Sequence, residues 1–77
     1  MDTKDAMKAI VSESGYSMRR ASELMGRSPN WLANTLARSG SSEAATVAEL
    51  AEVCGYRLAL VPCSDIPPSA FVIDPAE

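Results

Sequence analysis

The stretch Gly26-Arg27-Ser28-Pro29 constrains the fold of this chain more than any other, because each part of it has a mechanical reason to stand where one helix stops and another begins. Glycine takes the positive φ that closes a helix without a Cβ clash. Serine is a strong N-cap, its hydroxyl accepting from an amide one turn in. Proline at the first helical position has a fitting φ and lacks only an N–H that would go unpaired there anyway. The tetrapeptide therefore predicts a helix end and a helix start within three residues, with Ser28 as cap and Pro29 as the first helical residue. Upstream, Ser17 is placed to cap the first helix of the pair, and Ala21, Leu24 and Met25 supply an i, i+3, i+4 apolar stripe. In the second helix Leu32 and Leu36 are expected inward with Thr35 beside them, leaving Asn30, Ala33, Asn34 and Ala37 on the other face. A solvated helix face is ordinarily rich in charge. This one holds amides and small residues and no acid, as a face that lies against something would.

Elsewhere the chain is punctuated in the same way. Thr3 or Asp2 is expected to cap a first helix running to about Ser14, with Met7, Ile10 and Val11 on one side and Gly15 as its stop. That helix carries no recognisable chemistry and reads as a packing brace; Tyr16 after it is expected in the core, its hydroxyl reaching the edge. Past Gly40 comes a loop. Thr46 and Glu49 then form an S/T-x-x-E capping box ahead of the apolar run Val47, Leu50, Ala51, Val53 and Cys54, which Gly55 ends. The period changes at Arg57-Leu58-Ala59-Leu60-Val61, which alternates in twos and stops at Pro62, the pattern of a short edge strand. A lone strand leaves its backbone groups unpaired. It needs the same strand of a second subunit or residues 70–73, which lie beyond a Pro-rich connector, and the tail is free on this reading to fold back, to cross to a partner subunit or to engage another protein. The expected fold class is all-α in the main: four helices in residues 1–56, then a short C-terminal β-strand or hairpin and a Pro-containing tail in residues 57–77 as the dimerisation element.

The pattern Ser17-x3-Ala21-Ser22-x2-Met25-Gly26-x-Ser28-x3-Leu32 resembles the Cro/CI-type (XRE) helix-turn-helix family of DNA-binding regulators, and the likeness extends from about Asp5 to about Tyr56. It implies a compact four-helix lambda-repressor-like domain, in which a small residue at the position of Ser22 lets two helices cross closely and the turn glycine is Gly26. Met18 stands where the family often carries a glutamine used for a phosphate contact, and Arg27 where it often carries a β-branched residue.

The expected function is sequence-specific binding of double-stranded DNA by a transcriptional regulator, a repressor in the first instance. Pro29, Asn30, Ala33 and Asn34 are the candidate base-reading residues: each asparagine can offer a bidentate amide to adenine, and the small residues permit close approach. Ser17, Arg19, Arg20, Arg27, Ser28, Arg38, Ser39 and Ser41 are the candidate phosphate contacts. Trp31 has two readings, an indole N–H donor to phosphate or a helix-packing residue. Leu58, Leu60 and Val61 are the candidate dimer interface, since a two-fold contact satisfies both strand edges at once. The alternative reading is a DNA-binding antitoxin whose tail, through Phe71, Val72 and Ile73, docks on a toxin.

Composition bears on these readings at a few points. Seventy-seven residues are one small domain, near the size at which oligomerisation helps a helical core. The net charge of −3 looks wrong for a nucleic-acid binder, but its distribution reverses the impression. Residues 17–40 hold four arginines against Glu23 alone, while the rest of the chain holds three cations against nine acids. With no histidine and with Cys54 and Cys63 far apart, neither a metal site nor a cofactor is expected, and both cysteines are read as free thiols, Cys54 buried at a helix end. No enzyme is expected, for want of a base, a phosphate loop or a metal cluster. The absence of a long apolar run and of a signal-like N-terminus leads to the expectation of a cytoplasmic protein.

Overall fold

Asp2 opens the first helix with a reciprocal cap, its carboxylate accepting from the Asp5 N–H at 2.8 Å while the Asp5 side chain accepts from the Asp2 N–H. The computed structural model describes residues 1–38, 40 and 42–75 and is mainly α-helical. Helix α1 spans Thr3–Ser14, α2 Met18–Leu24, α3 Trp31–Ala37 and α4 Ala44–Val53, and a 3-10 turn follows at Cys63–Asp65. The core is a single cluster. Met7, Ile10 and Val11 of α1 meet Ala21 of α2, Leu32 of α3 and Val47, Leu50 and Ala51 of α4, with Cys54 at its edge. Met7, Leu32 and Leu50 are wholly buried, so each of three helices places one large side chain at the centre. At roughly 1.5–3 kcal/mol for each such side chain, their meeting holds the short helices together.

Tyr16 is 41% exposed rather than in the core, because the left-handed Gly15 (φ 80°) turns the chain outward there and the Tyr16 N–H bonds the Ser14 hydroxyl. Leu24, expected on the inner stripe of α2, is also exposed. The buried stripe of that helix is centred between Ala21 and Ser22, which puts Leu24 about 110° away at 100° per residue. The capping box at Thr46 and Glu49 does not form. Two strong helix formers, Ala44 and Ala45, start α4 earlier, from Glu43, so Thr46 lies inside the helix and Glu49 is bound instead to Arg27.

The tail departs furthest from expectation. Residues 57–61 form no strand, and among the described residues no strand exists at all. The alternation of Leu58 and Leu60 has no sheet to serve, because the second candidate strand is engaged elsewhere: Phe71 packs against the core and lies 5.8 Å from the Tyr56 ring. The Asp74 N–H donates to the Met1 carbonyl at 2.8 Å, and the Met1 ammonium pairs with the Asp74 carboxylate. The tail thus folds back on its own chain. Among the described residues no helix is long and apolar enough to cross a membrane.

Both cysteines are free thiols, Cys54 buried and Cys63 exposed. Burial pushes the Cys54 thiol above its ordinary value of 9.0, against a smaller lowering by a hydrogen bond with Ser14. A raised folded-state value means that the folded protein holds this proton longer than the unfolded chain does. The associated stability is therefore complete below pH 9.0 and is lost as the pH climbs beyond it. Iodoacetamide should label Cys63 in the folded protein and reach Cys54 only after denaturant is added; equal labelling rates at the two sites would contradict this packing. The fall in melting temperature above pH 9.0 should be smaller in Cys54→Ala than in the parent.

Candidate nucleic-acid interface

Helix α2 stops by a double bond to its own last turn. Gly26, at φ 74°, donates to the Glu23 carbonyl at 2.9 Å, and Arg27 N–H donates to the Ser22 carbonyl at 3.0 Å, the pair of bonds that defines a Schellman ending. The next helix begins later than the sequence suggests. Ser28, Pro29, Asn30 and Trp31 make a reverse turn closed by Trp31 N–H to the Ser28 carbonyl at 3.0 Å, with Asn30 at φ −97°, ψ 2°. Proline at the second position and that Asn30 geometry are those of a type I turn. The connection is consequently six residues, Ser28 does not cap, and Pro29 lies outside α3.

The missing cap is supplied from the neighbouring helix. The wholly buried Ser22 accepts from the Leu32 N–H at 3.0 Å through its hydroxyl, which donates in turn to the Met18 carbonyl at 2.8 Å. Leu32 is the second residue of α3, so its N–H is one of those a helix start leaves unpaired. A side chain of α2 thereby fixes the start, and with it the aim, of α3.

Held in this way, α3 turns Leu32 and Thr35 into the interior, with Trp31 and Leu36 half-buried. Asn30, Ala33, Asn34 and Ala37 are all exposed, as is Pro29 beside them. Asn30 and Asn34 are the only asparagines, and the chain has no glutamine. Every side-chain amide that the protein possesses stands on this one exposed face, and no acid lies between Gly26 and Arg38.

The cations around it are unequally committed. Arg27 lies over the Trp31 ring at 4.4 Å and reaches Glu49 at 3.2 Å. Trp31 is therefore a packing residue with a guanidinium on its face, an arrangement the i, i+4 spacing hinted at and the intervening turn concealed. Arg38 bonds the Thr35 hydroxyl at 3.2 Å. Arg19 has only a loose approach to Glu23 at 3.8 Å, while Arg20 is exposed with no ion-pair partner among the described residues. Ser17 is occupied as the cap of α2, accepting from the Arg20 N–H at 3.0 Å. Ser28 is exposed, and Ser39 and Ser41 lie outside the described residues. Leu58, Leu60 and Val61, exposed by 40%, 102% and 50%, line a different groove, shared with residues of α1, α4 and the tail. Among the described residues no metal-ligating cluster of three or more side chains occurs.

Comparison of the chain with models of protein families, with curated proteins and with solved structures finds no match in any of the three.

Ser22→Ala should destabilise the protein by about 1–3 kcal/mol in urea unfolding, because it strands a buried N–H. Ser28→Ala should cost about 0.5 kcal/mol or less, since that hydroxyl is exposed. The reverse order would restore Ser28 as the cap.

Proposed function

We propose that this chain is a sequence-specific double-stranded DNA-binding regulator of the Cro/CI (XRE) helix-turn-helix type, with a lambda-repressor-like arrangement of its four helices. One observation carries the reading: both side-chain amides of the protein project from the exposed, acid-free face of a helix whose aim is fixed by Ser22. Inserted in a major groove, Asn30 and Asn34 each pair bidentately with an adenine, while Pro29, Ala33 and Ala37 allow close approach. Arg20 and Arg38 reach phosphates, with Arg19 and the Trp31-braced Arg27 beside them. These contacts set register without reading sequence. The protein works in the cytoplasm by occupying an operator, as a repressor, and without catalysis.

The same reading includes a homodimer. Leu60 stands wholly in solvent, and Leu58 and Val61 join it along a groove of about 440 Å³ that also holds Ile66 and Phe71. Residues 57–61 make no backbone hydrogen bond to other described residues, so a second copy can supply both apolar cover and backbone partners. Two recognition helices about 34 Å apart then require a palindromic operator. No observation favours the toxin-docking alternative, for Phe71 is already seated on its own core.

Selection from random duplex DNA should return a palindrome. On that site Asn30→Ala and Asn34→Ala should each cost about 1–3 kcal/mol while leaving binding to unrelated duplexes little changed; equal losses on all sequences would remove base reading from this face. Arg27→Ala and Arg38→Ala should weaken binding to every duplex and make its salt dependence shallower. Leu60→Asp should yield a folded monomer in sedimentation, and a dimer of undiminished stability would rule out this interface.

A further inference from the structure

Beside the amide face of α3 lies a polar cleft of about 350 Å³ where α1, the turn before α3, α3 itself and the start of α4 converge, and it gathers Arg27 and Arg38 with groups that the DNA reading does not use. Three cations line it: Lys4 from α1, Arg27 from the turn and Arg38 from the end of α3. Hydroxyls of Thr35, Ser42 and Thr46 stand among them. Among the described residues the one acid on its wall is Glu43, and none of the three cations pairs with it. Arg27 is held by Glu49 and Arg38 by Thr35. The Lys4 ammonium is shut off from solvent and has no hydrogen-bond partner among the described residues, so a change of rotamer is what brings it to a ligand in the cleft.

An ammonium without solvent or partner is costly, and it is retained where something of opposite charge completes its shell. The start of α4 adds to the demand. Glu43 occupies the N-cap position there but makes no side-chain cap, and of the first turn of this ten-residue helix Thr46 lines the cleft. Three cations and three hydroxyls make a set of donors with few acceptors, which suits an oxyanion of high charge.

We propose that this cleft is a phosphate-binding site, taking either a free phosphate-bearing small molecule or a backbone phosphate of bound DNA. Trp31, Thr35 and Arg38 line it at i, i+4 and i+7 of α3, a stripe separate from Asn30, Ala33, Asn34 and Ala37. Occupancy of the cleft and of the amide face are thus compatible. The site does not depend on the DNA-binding reading, because its donors are assembled in the protein alone.

Trp31 is the chain's only tryptophan and lines the cleft, so its fluorescence reports occupancy without a label. The protein alone is titrated with inorganic phosphate and with pyrophosphate, and with sodium chloride at matched ionic strength. A saturable change is expected with the two phosphates and not with chloride. Lys4→Gln and Arg38→Gln should each weaken it at least about tenfold, and Glu43→Gln should tighten it, with circular dichroism confirming that every variant is folded. A response that does not saturate, that chloride reproduces or that survives both cation substitutions overturns the site. Repeating the phosphate titration on protein saturated with a duplex distinguishes the sources: persistence assigns the cleft to a free phosphate-bearing ligand, and loss assigns it to the DNA backbone. Should no duplex bind, the titration on the protein alone still decides whether the cleft holds phosphate.

Discussion

The hydroxyl of Ser22 is the contact on which the rest of this small protein depends. It lies wholly inside, joins the end of one short helix to the start of the next and fills both of its own hydrogen-bonding roles in doing so. A methyl in its place would leave an amide stranded, and a larger side chain would force α2 and α3 apart. Neither seven-residue helix is long enough to be stable alone. Their persistence follows from being locked together and then pressed on α1 and α4 by Met7, Leu32 and Leu50.

A rigid junction has a functional consequence. A helix whose first turn is tied to its neighbour presents its outer face at a fixed angle, which is the condition for positioning recognition groups with useful accuracy. The protein places both of its amides on that face and sends most of its acids elsewhere. Two of the exceptions, Glu23 and Glu49, lie against Arg19 and Arg27, and exposed pairs of this kind add little stability. Their effect is local charge balance. Arg27 is held over Trp31 and is a braced cation, whereas Arg20 is exposed and has no ion-pair partner among the described residues.

Much of the helical plan was legible because it rests on local rules. Gly26 takes the positive φ that the turn requires, Ser17 caps α2, and the inward set Leu32, Thr35 and Leu36 follows from helical period alone. Tyr16 and Leu24 differ from expectation for local reasons, whereas the other differences set a local rule against a contact distant in sequence. Ser28 had the chemistry of a cap, but proline after it favoured a type I turn and Ser22 reached the amide first. Thr46 and Glu49 matched a capping box, but Ala44 and Ala45 began the helix and Arg27 took the glutamate. The alternation at Leu58 and Leu60 described a strand, yet a strand needs a neighbour, and the segment that would have provided one carries Phe71 to the core instead. Lys4 gave no sign of any role, because only the fold brings the start of α1 beside Arg27 and Arg38.

On the proposed function the amide face of α3 is where this protein meets DNA bases, and the composition of the chain makes that unusually direct to measure. With two asparagines and no glutamine, a ¹⁵N–¹H spectrum contains only two side-chain carboxamide NH₂ pairs, those of Asn30 and Asn34. On addition of a duplex selected for tight binding, both pairs should shift strongly, and with an unrelated duplex of equal length they should move little while arginine signals still respond. If the selected duplex binds and both NH₂ pairs stay where they were, this face does not read DNA.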